Sequence, residues 1–201
     1  MVKEFNILLA GVGGQGVILM SELLGRSAIA DGFKVRGSEI LGMAVRGGSV
    51  TSVIRIGDDV YGPLIPQGKC DVLMGLEPSE GLRNASYLSR SGWVILNTTP
   101  IIPFTVSLGQ SSYPSLDQVL EKLNSIAHKV ITLNAAEIAK EAGSLLSANV
   151  VMLGALFGTG LLPIKISTIK DSIEARFSGK AAPINIKAFD LGCQRVQKAA
   201  T

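Results

Sequence analysis

Glycines gathered where a strand runs into a helix constrain this chain more than any other feature. Residues 6–25 read NILLAGVGGQGVILMSELLG: an apolar run over 7–10 enters Gly11-Val12-Gly13-Gly14-Gln15-Gly16, and a helical pattern follows. Glycine allows the sharp turn and lets another group approach the main chain. The helix start beyond it offers free N–H groups and the positive end of a dipole. The string fits G-x-G-x-x-G between a strand and a helix, the setting of a dinucleotide-binding turn.

Further along, short β-rich segments alternate with helical ones. Strands are predicted over 5–10, 34–38, 49–56, 72–76, 94–97 and 130–133. Helices are predicted over 15–30, 77–89, 116–127, 135–142, 148–157, 167–177 and 184–199, with Pro183 suited to the first turn of the last. Residues 39–48 are non-periodic, and 97–113, rich in Pro, Thr and Ser, form a long loop. Such alternation predicts an α/β fold, a three-layer α/β/α sandwich with a mostly parallel, Rossmann-like sheet. No repeat or linker divides it, so one domain over 1–201 is expected.

Composition narrows the function. The 201 residues are 47% hydrophobic and only 17% charged, an apolar balance that points to burial against a partner. Candidate contact surfaces are the helix near 151–157 and the small-residue segment 42–48. The net charge of +3 and 5% aromatic content, with no basic run, argue against nucleic acid. Residues 145–164 are uncharged and of membrane length, with Gly154 and Gly158 at close-packing spacing, but Asn149, Gly158, Thr159, Gly160 and Pro163 interrupt them. A buried helix is expected there, and no membrane association. The N-terminus lacks a signal-peptide layout, and a cytoplasmic location is expected. Cys70 and Cys193 stand far apart and outside any C-x-x-C, which excludes a four-cysteine cluster in this chain alone.

The glycine turn admits several readings. A dinucleotide site also requires an acidic residue about twenty positions on, at the end of the second strand. Counting from Gly16 reaches Arg36, with Glu39 slightly beyond. The doubled Gly13-Gly14 is also similar to the ATP-binding turn of adenylating enzymes of the ubiquitin-activating type. Tight packing of the first helix on the sheet is the third reading. A second motif, Ser38-Glu39-Ile40-Leu41-Gly42-Met43-Ala44-Val45-Arg46-Gly47-Gly48-Ser49-Val50, sets two opposite charges among glycines. Arg46 supplies a planar donor fork suited to phosphate or carboxylate, or a partner for Glu39 in an ion pair that staples the loop.

Together the two motifs resemble the gamma-type domain of the 2-oxoacid:ferredoxin oxidoreductases. The form with Gly42-Met43-Ala44 ahead of Arg46-Gly47-Gly48 is most similar to the beta subunit of the indolepyruvate enzymes. The likeness covers nearly the whole chain, including the late small-residue helix and the closing Asn185-Ile-Lys-Ala188-Phe189-Asp-x-Gly192. It implies a subunit of an enzyme that oxidatively decarboxylates a 2-oxoacid to an acyl-CoA and reduces ferredoxin. It implies thiamine diphosphate and iron–sulfur clusters on a larger partner subunit, since Gly57-Asp58-Asp59 is only a partial thiamine-diphosphate motif. Coenzyme A is then the substrate this chain meets, with Gly11, Gly13, Gly14, Gln15, Gly16, Glu39, Arg46, Gly47 and Gly48 as the binding candidates. No side chain is assigned a catalytic or metal-ligating role. A nucleotide-binding protein (NAD, FAD or ATP) and a purely structural subunit remain as alternatives. His128 is expected at the surface, and Glu77 and Glu80 at the start of a helix.

Overall fold

The computed structural model describes residues 2–42 and 47–200. Six strands form one sheet: β1 (Phe5–Val12), β2 (Val35–Leu41), β3 (Ser49–Ile56), β4 (Cys70–Gly75), β5 (Leu88–Asn97) and β6 (Lys129–Leu133). Their order across the sheet is β2-β3-β1-β4-β5-β6. The pairs β1–β4, β4–β5 and β5–β6 are parallel, whereas β3 runs antiparallel to both β1 and β2. Only β3 is therefore reversed. The connection from β2 to β3 is too short for the dozen or more residues that a parallel crossover needs.

Among the described residues the α-helices are, in chain order, α1 (Val17–Ala30), α2 (Pro78–Arg83), α3 (Phe104–Ser107), α4 (Leu116–Ile126), α5 (Ala135–Ala142), α6 (Ala148–Gly158), α7 (Ile166–Arg176) and α8 (Ala181–Ala200). β1, β4 and the second half of β5 bury both faces, as their apolar runs require, whereas β2 at the edge is largely exposed. Ile7, Leu9, Ile54 and Met74 face the cluster made with α1, α5, α6, α7 and α8. Leu8, Val53, Leu73 and Leu96 face the smaller cluster made with α4 and the segment after α2. The fold is the expected α/β sandwich with its predominantly parallel sheet.

Several expectations change. β2 runs on to Leu41, because its ladder with β3 pairs Glu39 with Ser52 and Leu41 with Val50. The predicted helix over 77–89 is a short α2 and a single turn over Ala85–Tyr87, after which the chain enters β5 at Leu88. The register slips between Cys70 and Val72 on β4, and this slip carries β5 past its polar first half. At Gly92 a side chain would stand 2.8 Å from the Cys70 carbonyl oxygen, so glycine permits the approach.

The helix proposed from sequence as a contact surface is not one. From Val150 to Gly158 every residue of α6 is buried within the chain. Added Cβ atoms at Gly154 and Gly192 would overlap the carbonyl oxygens of Phe189 and Val151 respectively. The small residues let α6 and α8 meet backbone to backbone. No helix among the described residues is long and apolar enough to cross a membrane.

Candidate functional site

At the carboxyl end of β1 the chain turns through Gly13, Gly14, Gln15 and Gly16 into α1. Gly14 and Gly16 have φ of 99° and 77°, values that L side chains seldom adopt. The side chain of Gln15 holds the turn closed. Its Oε1 accepts from the N–H of Val12 at 2.9 Å, and its Nε2 donates to the carbonyl of Leu76 at 2.9 Å. The same Leu76 oxygen accepts from Asn97 Nδ2 at 2.9 Å, and Asn97 Oδ1 accepts from the N–H of Ala135 at 3.0 Å. The carboxyl ends of β1, β4 and β5 are thus tied together and to the start of α5. Asn97 is buried, and the satisfaction of its amide explains why a polar residue stands there.

The glycine turn ahead of α1 and the first turns of α5 and α6 meet at one cleft of about 220 Å³, lined by Gly14, Gln15, Ala135, Ala148 and Asn149 together with Leu76 and Asn97. The first turns of α5 and α6 lie at its wall, and helix N-termini favour an anion. Gly14 is open, since an added Cβ there would meet nothing within 4 Å. Gly16 is closed, since an added Cβ would overlap the side-chain nitrogen of Asn149. At Gly11 an added Cβ would lie 2.8 Å from Gln15 Oε1, so this glycine makes room for the Gln15 bracket.

The second motif reaches the same place. Gly13 N–H donates to Gly48 O at 2.8 Å, and Gly47 N–H donates to Gly13 O at 3.2 Å. The residues that follow the segment 43–46 therefore adjoin the glycine turn, while Gly42 ahead of it donates its N–H to Ser49 O at 2.9 Å. Arg46 itself lies outside the described residues. Ser49, which opens β3, donates to Glu80 Oε2 at 2.6 Å and fixes the exit of the segment.

Glu39 is not brought to the cleft. It lies exposed on the edge strand β2, level with Ser52 of β3 and Leu9 of β1. With β3 inserted, β2 stands two strand spacings from β1, about 9–10 Å. In a dinucleotide fold the acidic residue ends the strand next to the first, so this topology removes the ribose anchor. The cleft is also below the roughly 300–1,000 Å³ of an ordinary small-molecule pocket. Both observations weigh against the nicotinamide reading of the glycine string.

Other sequence features have structural explanations. Gly57-Asp58-Asp59 follows β3 at the opposite end of the sheet, where Asp58 pairs with Lys34 at 3.2 Å. It does not fit a thiamine-diphosphate site. Cys70 and Cys193 are both buried. Burial, with Asp71 nearby, pushes the Cys70 thiol up to about 12. Among the described residues no group of three or more His, Cys, Asp or Glu could hold a metal ion. His128 is exposed, its ring 6.4 Å from that of Trp93.

Sequence reasoning missed Asn97 and underestimated Glu77. Glu77 is fully buried and caps α2 by accepting from the N–H of Glu80 at 3.0 Å. It also accepts from Ser79 Oγ, from the N–H of Ile101 and from the Tyr113 hydroxyl. The signal for Asn97 was its place at the end of an apolar strand beside Thr98 and Thr99.

Residues 6–195 match the family described as pyruvate ferredoxin/flavodoxin oxidoreductase. The chain is 42% identical to the indolepyruvate oxidoreductase subunit IorB of Pyrococcus horikoshii, with 98% of each chain covered. It is 44% identical to the protein of the same name from Archaeoglobus fulgidus, with 94% of each covered. Among solved structures, the gamma subunit of a keto/oxoacid ferredoxin oxidoreductase from Geobacter sulfurreducens superposes with a TM-score of 0.70 at 24% identity, covering 96% of this chain and 99% of that one. The 2-oxoglutarate:ferredoxin oxidoreductase of Magnetococcus marinus gives a TM-score of 0.73 at 22% identity, with 98% of this chain matching 32% of that longer one. Both structures carry the same fold.

Proposed function

The chain belongs to the pyruvate ferredoxin/flavodoxin oxidoreductase family, and on that premise we propose that it is the small subunit of a 2-oxoacid:ferredoxin oxidoreductase, with an aryl pyruvate such as indolepyruvate as the substrate class. The relatives named above as indolepyruvate oxidoreductase subunits, at over 40% identity across nearly the full length, support that substrate class. The complex oxidatively decarboxylates the 2-oxoacid, yields an acyl-CoA and passes electrons to ferredoxin. Thiamine diphosphate and the iron–sulfur clusters sit on the larger subunit, where the thiamine supplies a carbanion equivalent at the oxoacid carbonyl carbon. The two buried, separated cysteines of this chain do not fit a cluster.

The contribution of this chain is to complete the complex and hold the anionic part of coenzyme A. One observation carries this reading: the main-chain pairing of Gly13 with Gly47 and Gly48, which sets the second glycine motif beside the first, whose Gly14 and Gln15 line a cleft walled by the first turns of α5 and α6. Gly14 leaves the main chain open to a phosphate oxygen, Gln15 and Asn97 fix the shape of the turn, and the guanidinium of Arg46 supplies charge. No proton transfer is assigned to this chain.

Steady-state kinetics of the assembled complex test the reading. Arg46→Ala removes a charge-assisted contact of ~1.5–3 kcal/mol and raises the Michaelis constant for coenzyme A about tenfold or more. Arg46→Lys recovers little, since an ammonium lacks the planar fork. Gly14→Ala places a methyl group at the open position and also raises that constant. The 2-oxoacid constant stays near the wild-type value in all three. Unchanged coenzyme A constants, with a weakened complex instead, would leave the chain a structural subunit.

A further inference from the structure

We propose that the free edge of β2 is an interface at which a second copy of this chain pairs strand to strand, antiparallel about Ser38; the inference is independent of the function proposed above. β2 ends the sheet order, and among the described residues no strand lies beyond it. An edge strand offers a row of unpaired N–H and C=O groups, which proteins blunt with proline, a bulge, a very short strand or edge charges. β2 runs seven residues, Val35–Leu41, without proline and in an unbroken ladder with β3. Its only charges, Arg36 and Glu39, stand on opposite faces of the strand.

The ladder tells which main-chain groups are free. Gly57 N–H donates to Lys34 O at 3.0 Å at one end of the β2–β3 pair, and Gly42 N–H donates to Ser49 O at 2.9 Å at the other. In an antiparallel pair, residues that exchange such bonds alternate with residues that do not. The even positions of β2 therefore turn their main-chain groups toward β3. Val35, Gly37, Glu39 and Leu41 turn theirs outward. Such a row is complementary to another extended strand, not to a helix or a small molecule. The Arg36 guanidinium turns back on the Val35 oxygen at 3.0 Å, and a carbonyl oxygen accepts a second donor.

The residues of the strand select the occupant. A two-fold axis pairs residues symmetrically about one central position. Centred on Ser38, the midpoint, it pairs the whole strand. Val35 then bonds with Leu41 of the second copy, and Gly37 with Glu39 of the second copy. Between these pairs, Arg36 lies opposite Ile40 of the second copy. No like charges face each other, and Glu39 meets a residue with no side chain. Val35 and Leu41 make an apolar cross-strand pair, and the stem of Arg36 lies along Ile40. Ile40 and Leu41, 59% and 58% exposed in the single chain, both gain an apolar neighbour. An axis at Glu39 would oppose two carboxylates, and one at Gly37 would leave Leu41 beyond the end of the second strand. This self-complementarity favours a second copy over a strand of another protein.

Sedimentation equilibrium of the full-length chain tests the proposal. The wild type is expected to dimerise at micromolar concentration. Ile40→Lys sets an ammonium opposite Arg36 of the second copy. It is expected to raise the dimer dissociation constant about tenfold or more, since the two-fold repeats the clash. The circular dichroism spectrum is expected to stay unchanged, because Ile40 is exposed. Combining Ile40→Lys with Arg36→Glu places opposite charges across the axis twice and is expected to restore association; only the Ser38 register gives this rescue. Gly37→Pro removes an outward N–H and leaves the ladder with β3 intact, and it is expected to yield a monomer. A wild-type chain that stays monomeric, or a dimer indifferent to Ile40→Lys, would overturn the proposal. A double variant that stays dissociated would overturn the pairing about Ser38. A monomeric wild type whose binding to the larger subunit is weakened by Ile40→Lys would assign the edge to that subunit and overturn the second copy.

Discussion

Gln15 and Asn97, 82 positions apart in sequence, donate to the same oxygen, the main-chain carbonyl of Leu76, each at 2.9 Å. This shared acceptor is the joint on which the carboxyl edge of the sheet is built. Gln15→Met leaves the Val12 N–H without its acceptor and is expected to cost about 1–2 kcal/mol. Asn97→Leu also strands the Ala135 N–H and is expected to cost about 2–3 kcal/mol. The double variant leaves the Leu76 oxygen with neither side-chain donor. Denaturant unfolding of the three variants is expected to give a coupling energy of about 0.5 kcal/mol or more. Strict additivity would show that the two amides do not act through one carbonyl.

Two helical glycines separate packing from propensity. Gly25, within α1, has nothing within 4 Å of an added Cβ, whereas at Gly154 that Cβ would overlap the Phe189 carbonyl oxygen. Gly25→Ala is expected to stabilise the chain by about 0.5–1 kcal/mol, because alanine loses less freedom in a helix. Gly154→Ala is expected to destabilise it by about 3 kcal/mol or more, since backbone cannot yield as a side chain can. Thermal melting reads both, at about 2–4 °C per kcal/mol for a chain of this size.

Asp31 supplies a pH dependence. Its carboxylate accepts from the Lys165 N–H and from Thr168 Oγ1, both at 2.7 Å, joining the end of α1 to the start of α7. Burial alone would raise its pKa, but these bonds and the nearby Lys165 charge outweigh burial and lower it. A group whose folded pKa is lowered stabilises above its unfolded value and loses that contribution as pH falls through the folded one. Wild type is expected to exceed Asp31→Asn by about 1–2 kcal/mol at pH 7. Melting curves at decreasing pH are expected to converge from about pH 4 downward. A constant gap down to pH 2 would contradict this.

The cysteines are expected to be inert in the folded chain. Cys70 is fully buried with its thiol pushed up to about 12, and burial also raises Cys193. Only about one Cys70 thiol in ten thousand is ionised near pH 8. A chromogenic disulfide reagent is expected to react with neither until denaturant is added. Rapid native labelling of Cys70 would show that the core opens around β4.

Local chemistry determined part of this protein from the sequence alone. The apolar run into Gly13-Gly14-Gln15-Gly16 defines β1, the turn and α1, because a strand, a positive-φ turn and a helix each depend on near neighbours. The alternation of apolar segments gave the α/β class for the same reason, and the paired glycine motifs gave the family. Strand direction needed one more local fact, the short link between β2 and β3, from which the reversal of β3 follows. Tertiary structure alone decided the rest. Glu39 stands away from the cleft because β3 lies between β2 and β1. The apolar helix α6 faces inward because Phe189 and Gly192, 35 and 41 residues later, close over Gly154 and Val151 respectively. Glu77 holds the 98–115 loop because Tyr113 comes back to it across 36 residues. A hydrogen bond between distant residues leaves no periodicity in the chain, so only the folded arrangement shows which buried polar groups have found each other.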